Sequence, residues 1–336
     1  MNVLVVRLGA LGDIVHAVPA VAAIRRAHPA ARIDWLVERK HRAIVDLVTA
    51  IDGTIELERP SVDAWVSTVR QLRASAYDVA IDFQGLLKSA VLARASGAAR
   101  VVGFSIWHLR EKTARPFYSA SASASAPADG AHVIRKNLHL LRVLGIDDET
   151  IAFPIADVLS PALEEVRSEI GDRPFALINP GAAWPNKRWP ADRFGELATF
   201  LREAPGLMPV VVWGPGEELL AEGVISASAH AAMRAPATNI RDLVGLSRAA
   251  ALVISGDTGP LHIATAVGTP AVGIFGPTDP ARNGPWSEDD VSVSRFDRCE
   301  CHYDRTCHGA RWCLEDVTVA EVCAAVQQRV TGRARG

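Results

Sequence analysis

Along the chain, short runs of apolar and β-branched residues alternate with stretches whose apolar positions recur every three or four residues. The first pattern predicts strands buried on both faces, and the second predicts helices lying against them. Residues 3–8 form such a strand, and Gly9-Ala10-Leu11-Gly12-Asp13 turns the chain. Ile14, Val15, Val18, Val21, Ala22 and Ile24 then keep helical spacing. Further strands are expected over residues 33–37, 77–83 and 101–104, with a helix over 86–96 that Gly97 stops. Residues 132–144 read as an amphipathic helix ended by Gly145. A connection near residues 146–161 leads to a second run of the same kind. Strands are expected at 175–180, 209–213, 251–254 and 271–275, and helices at 191–202 and 263–267. Thr318-Val319-Ala320-Glu321 is a capping box for a terminal helix. Strands alternating with helices predict an α/β protein of parallel sheets, and the length suggests two Rossmann-like domains facing across a cleft. In such sheets ligands bind beyond the carboxyl ends of the strands.

Residues 119–126 alternate Ser and Ala and lead to Pro127, Asp129 and Gly130. Side chains this small cannot anchor a core, so an exposed loop is expected, as a lid or a spacer. Charge adds little. The net charge is −2, with a small basic excess in the first half and an acidic one in the second, so nucleic acid is not an expected partner. No run of about 18 apolar residues appears, and Arg7 interrupts the opening apolar stretch, which disfavours a membrane span or a signal peptide. A cytoplasmic location is therefore expected. Cys299, Cys301, Cys307 and Cys313 crowd one short stretch with His302 and His308 among them. A metal knuckle, a disulfide pair and a thiol-rich loop are the three readings. The spacing fits no common zinc pattern, and a reducing cytoplasm disfavours disulfides.

Candidate chemistry sits at the strand ends. Ser255-Gly-Asp257-Thr258-Gly259-Pro260-Leu-His262 reads as a strand end, a tight loop and a helix start, with Pro260 suited to the first turn. Oriented backbone N–H groups and the positive end of the helix dipole make this a phosphate cradle, although Asp257 or Thr258 could simply cap the helix. Gly9-x-x-Gly12-Asp13 lacks the third glycine of a dinucleotide fingerprint, so Glu38 after the second strand is an isolated carboxylate and a nicotinamide enzyme is disfavoured. Asp13 reads as a helix N-cap or as a carboxylate placed to accept a proton. Lys187 and Arg188 supply the positive charge that a diphosphate leaving group needs, and no Asp-x-Asp pair in the second half stands out as a divalent-metal site. Glu217 suits ribose hydroxyls, and His262 either touches phosphate or packs.

These residues also carry a resemblance. Arg7-Leu-Gly-Ala-Leu-Gly-Asp13-Ile, Asp82-Phe-Gln84-Gly85-Leu-Leu-Lys88-Ser and Asn179-Pro-Gly are similar to glycosyltransferase family 9, the ADP-heptose:lipopolysaccharide heptosyltransferases. So are Lys187-Arg-Trp-Pro, Trp213-Gly-Pro-Gly-Glu217, Asp257-Thr-Gly-Pro-Leu-His262 and Gly276-Pro-Thr-Asp. The resemblance covers nearly the whole chain and implies a cofactor-free, metal-independent, inverting transferase of the two-Rossmann GT-B type. It implies an acceptor domain over residues 1–155, an ADP-heptose domain over 156–317, and a C-terminal helix and tail over 318–336. Asp13 would be the general base. Lys187, Glu217, Asp257, Thr258, Gly259 and His262 would hold the donor. Arg7, Arg110, Lys112, Arg115, Arg135 and Lys136 are expected on the acceptor side, facing carboxylates and phosphates of an anionic glycolipid. Within the family the first half is most like the first heptosyltransferase, which acts on Kdo2-lipid A, whereas the cysteines are closer to the second. The resemblance also implies peripheral contact with the cytoplasmic face of the inner membrane. A second-heptose transferase, or a sugar-nucleotide epimerase of the same fold, is the alternative.

Overall fold

The computed structural model describes residues 1–58, 62–122, 131–307, 309 and 311–332. It divides into two compact units, Met1–Ala156 and Asp157–Gly336. In the first unit the strands are β1 (Asn2–Val6), β2 (Arg32–Glu38), β3 (Gly53–Leu57), β4 (Val79–Asp82), β5 (Arg100–Gly103) and β6 (Ala120–Ser121). Among the described residues they form one parallel sheet in the order β3-β2-β1-β4-β5-β6. The second unit contributes β7 (Phe175–Asn179), β8 (Met208–Val211), β9 (Met233–Arg234), β10 (Leu252–Gly256), β11 (Ala271–Phe275) and β12 (Val291–Ser294). Their order is β12-β11-β10-β7-β8-β9, which is the same winding repeated. Each sheet therefore reverses direction beside its own first strand, between β1 and β4 and between β7 and β10. Crevices at such reversals, beyond the strands' carboxyl ends, are where doubly wound sheets hold ligands.

The central strands form because they are apolar on both faces: Val3, Leu4, Val5 and Val6 are buried in β1, as are all five residues of β7 and β10. The helix Leu11–Ala27 follows β1 and buries Ile14, Val15, Val18, Val21 and Ile24 among others. Helix Val133–Leu140 lies against it, and a tighter turn at Leu141–Leu144 ends at Gly145, which takes φ 76°. Only glycine adopts that conformation without strain.

Two expectations change here. Ala120 and Ser121, at the head of the Ser-Ala alternation, are not loop. They pair with Val102 and Gly103 as the outer strand of the sheet, where small side chains cost nothing and the backbone N–H groups find carbonyl partners. Residues 123–130, which hold the rest of the alternation, lie outside the described residues. The second change concerns the terminal helix, Val319–Gly332. Its capping box forms as expected, with Thr318 N–H donating to Glu321 Oε2 at 2.8 Å and Glu321 N–H to Thr318 Oγ1 at 3.3 Å. It is not an appendage, however, because Val322, Ala325 and Val326 belong to the core of the second unit. Burying a valine contributes about 2 kcal/mol, so this helix belongs to that unit's stability.

Candidate functional site

Asp13 stands in the first turn of Leu11–Ala27, at its third position and not at the N-cap. Ala10 occupies the cap, and Asp13 Oδ2 reaches back to the Ala10 N–H at 3.4 Å. The same oxygen meets Arg7 Nη2 at 2.6 Å and Arg110 Nη1 at 3.9 Å. Oδ1 takes part in none of these contacts, and the side chain keeps about a quarter of its surface exposed. One carboxylate oxygen, Oδ2, thus carries all three of these contacts.

The anchor is itself held from the neighbouring strand end. Arg7 is buried at the end of β1, and its Nη1 donates to the Phe83 carbonyl. Gln84 Oε1 accepts from the Leu8 N–H at 2.7 Å. The turn after β4 is fixed by Asp82, a fully buried carboxyl that accepts from Tyr118 Oη at 2.7 Å, Ser89 Oγ at 2.8 Å and the Gln84 N–H at 2.8 Å. Burial outweighs these donors and pushes the Asp82 carboxyl above its ordinary range. Asp82, Gln84 and Tyr118 were not among the expected site residues. The Asp-Phe-Gln-Gly motif signals the turn, but only the structure shows that it clamps Arg7. Arg7, expected to face the acceptor, instead commits its guanidinium to Phe83 and Asp13. Glu38, where a ribose-binding acid would stand, pairs with Lys88 at 2.8 Å and Lys40 at 3.2 Å.

Of the other cations expected on the acceptor side, Arg110 is the one with a contact to Asp13, at 3.9 Å. Arg110 and Lys112 are exposed, and Arg115 bonds the Tyr118 carbonyl at 3.2 Å. Arg135 and Lys136 lie on Val133–Leu140, which is tied to the Asp13 helix by Asn137 Nδ2 donating to the His16 carbonyl at 2.9 Å. Between the turn after β5 and Arg110, Ile106 and Trp107 are turned outward, Trp107 with 73% of its surface exposed.

In the second unit the loops after β7 and β10 meet. Asn179 Nδ2 lies within 3.1 Å of Gly181 O, Ser255 Oγ and Thr258 Oγ1, which stitches the two loops together. Asp257 is buried and carries two partners, Lys187 Nζ at 2.6 Å and His262 Nε2 at 3.0 Å. Burial alone would raise its pKa, but the His262 hydrogen bond and the Lys187 charge hold it well below the usual carboxylate range. His262 Nε2 is thus engaged by the Asp257 carboxylate. Neither expected capping side chain caps: Thr258 occupies the N-cap of Gly259–Ala266 without a side-chain bond to it, because its hydroxyl is engaged by Asn179 and Ser255. The side chain of Thr258 therefore leaves the first-turn N–H groups uncapped. Glu217 follows β8, accepts from the Gly214 N–H at 3.0 Å and approaches Arg188 at 4.0 Å. Its carboxylate lies so close to Gly181 that a Cβ there would come within 2.0 Å of Oε2.

Residues 65–312 match the family model for glycosyltransferase family 9 (heptosyltransferase). The chain belongs to that family. It is a glycosyltransferase. Among curated relatives it is similar to lipopolysaccharide heptosyltransferase 1 of Pseudomonas aeruginosa, 28% identical over 91% of this chain and 87% of that one. It is also similar to lipopolysaccharide heptosyltransferase 1 of Escherichia coli K12, 26% identical over 87% of this chain and 92% of that one. The solved structure of E. coli heptosyltransferase WaaC with ADP superposes with a TM-score of 0.79 at 23% identity, covering 98% of this chain and 100% of that one. That likeness places the transferase in the two-Rossmann GT-B fold class.

All five cysteines of this transferase are free thiols, and four of them stand in two close pairs. Cys301 and Cys307 Sγ are 2.8 Å apart, and Cys313 bonds Cys299. Burial and the Cys299 thiol push Cys313 up to about 12. Among the described residues no three His, Cys, Asp or Glu side chains group as a metal site, and His308 lies outside them. Among the described residues no helix is long and apolar enough to cross a membrane.

Proposed function

We propose that the protein transfers heptose from ADP-L-glycero-D-manno-heptose to an inner-core lipopolysaccharide acceptor, with inversion and without a metal. The observation that carries the reading is Asp13, whose Oδ2 is fixed by Arg7 and Ala10 while the side chain keeps about a quarter of its surface exposed. An acceptor hydroxyl is a poor nucleophile at neutral pH, so a base at this position raises its reactivity. Asp13 Oδ1 takes the hydroxyl proton as the acceptor oxygen bonds to the heptose anomeric carbon. The bond from that carbon to the β-phosphate oxygen breaks on the opposite face, and ADP leaves with the electron pair. The charge on the departing diphosphate is met by the N–H groups at Thr258 and Gly259 and by Lys187. Asp257 and His262 keep Lys187 in place, and Glu217 holds the ribose.

Kdo2-lipid A is the favoured acceptor, in keeping with the heptosyltransferase 1 relatives. Arg110, Lys112, Arg115, Arg135 and Lys136 suit its carboxylates and phosphates, while Arg7 serves Asp13. The outward Trp107 and Ile106 beside Arg110 and Lys112 have the make-up of an interfacial anchor, which supports peripheral docking of a cytoplasmic enzyme on an anionic membrane. The test is incubation with ADP-heptose and either Kdo2-lipid A or its monoheptosylated form, with product mass measured. One added heptose on Kdo2-lipid A is expected, with ADP released only when acceptor is present. Asp13→Asn is expected to lower turnover by about a thousandfold while leaving ADP binding intact. No added mass on either acceptor would sink the assignment.

A further inference from the structure

Lys187 alone cannot supply the charge that a diphosphate requires, because Asp257 already neutralises it at 2.6 Å. Arg188 is shared with the Ala182 carbonyl at 2.9 Å and with Glu217. A further cation is needed, and the structure holds one on the same aromatic ring. Lys187 Nζ lies 4.4 Å from the centre of the Trp184 indole, and the Arg305 guanidinium carbon lies 5.7 Å from it. Arg305 is exposed, and no carboxylate lies within ion-pair distance of its guanidinium among the described residues. It comes from the four-cysteine stretch, more than a hundred residues away in sequence, which the reaction described above does not use.

That stretch is fastened to the donor loops at several points. Asn186, one residue before Lys187, is buried and donates from Nδ2 to the Asp304 carbonyl at 2.9 Å. The Tyr303 N–H donates to the Pro277 carbonyl at 2.8 Å, and the Arg282 guanidinium lies 5.1 Å from the Tyr303 ring centre. Tyr303 takes φ 59°, a left-handed conformation that a bulky residue adopts only where its surroundings dictate it. Cys299 and Cys301 are buried beneath the turn, and Cys301 contacts Cys307 on its far side. The turn that carries Arg305 is therefore held from before and behind.

We infer that Arg305, stacked on Trp184 and fastened by the cysteine loop, is a second cationic ligand for the donor diphosphate. This rests on the reading of the Lys187–Asp257 loops as the donor site. A guanidinium held on an aromatic face keeps its N–H edge free for a phosphate and loses little freedom on binding.

The test is calorimetric titration of the full chain with ADP and with adenosine, for the wild type, Arg305→Ala and Arg305→Glu. Arg305 is exposed, so both variants keep the fold. Arg305→Ala is expected to weaken ADP about tenfold, Arg305→Glu to weaken it further, and neither to change adenosine binding. Unchanged ADP affinity in Arg305→Ala overturns the role of Arg305 and leaves the donor site standing. An equal loss for ADP and adenosine, or a Glu variant no worse than the Ala variant, also overturns it, since neither is a charge effect on phosphate. Failure of the wild type to bind ADP overturns the donor site and this inference with it.

Discussion

Single residues at this site are constrained from two directions, by what they do and by what lies packed against them. Gly181 shows the second constraint. Nothing in its backbone demands glycine, yet a methyl group there would overlap the Glu217 carboxylate. Gly181→Ala is therefore expected to swing Glu217 away from the Gly214 N–H and to weaken ADP about tenfold, with the melting temperature nearly unchanged. Titration with ADP and with ribose-free pyrophosphate checks this, because a loss confined to ADP points to Glu217. Gly256 is under a similar limit, since a Cβ would meet the Lys187 carbonyl at 2.8 Å.

The site becomes a single structure at the level of elements, where the turn after β7 is joined to the helix after β10 through Lys187, Asp257 and His262. Because the Asp257 carboxyl is depressed in the fold, it contributes stability above the ordinary carboxylate range, and that contribution is lost as the pH falls through its folded value. Asp257→Asn is expected to cost about 3 kcal/mol at pH 7, as expected when a buried pair loses one partner. Its stability is also expected to fall less than the wild type's as the pH drops from 7 to 3, measured by urea midpoints. An equal pH slope in the two proteins would contradict the role given to the pair. How much of this could be read beforehand depends on where an element sits. Strands β1, β7, β10 and β11 announce themselves as unbroken apolar runs. The outer strands β3 and β12 are half exposed, and their polar alternation hides them. Helix Ile240–Ala249 is legible in principle, from an Asn239 cap with Asp242 three residues on, yet it carries no motif that draws attention. The site motifs were readable as residues but not as contacts. Nothing local says that Arg7 turns inward to Phe83, or that Lys187 closes on an aspartate 70 positions later.

The whole molecule repeats one winding twice, and the proposed reaction gives the two copies different tasks. Binding of ADP at a hundred times its dissociation constant should stabilise the protein by about 2.7 kcal/mol. Hydrogen exchange is expected to slow at residues 179–187, 214–217 and 256–262, with no protection at residues 9–13. Protection centred on the first unit would reverse the assignment of donor and acceptor. The helix Val319–Gly332 carries one more consequence. Its Val322 and Val326 complete the second core, so that unit lacks its full interior until the ribosome has translated past residue 326. The unit bearing Asp13 ends at Ala156. During synthesis the core of the first unit can therefore be completed before that of the second.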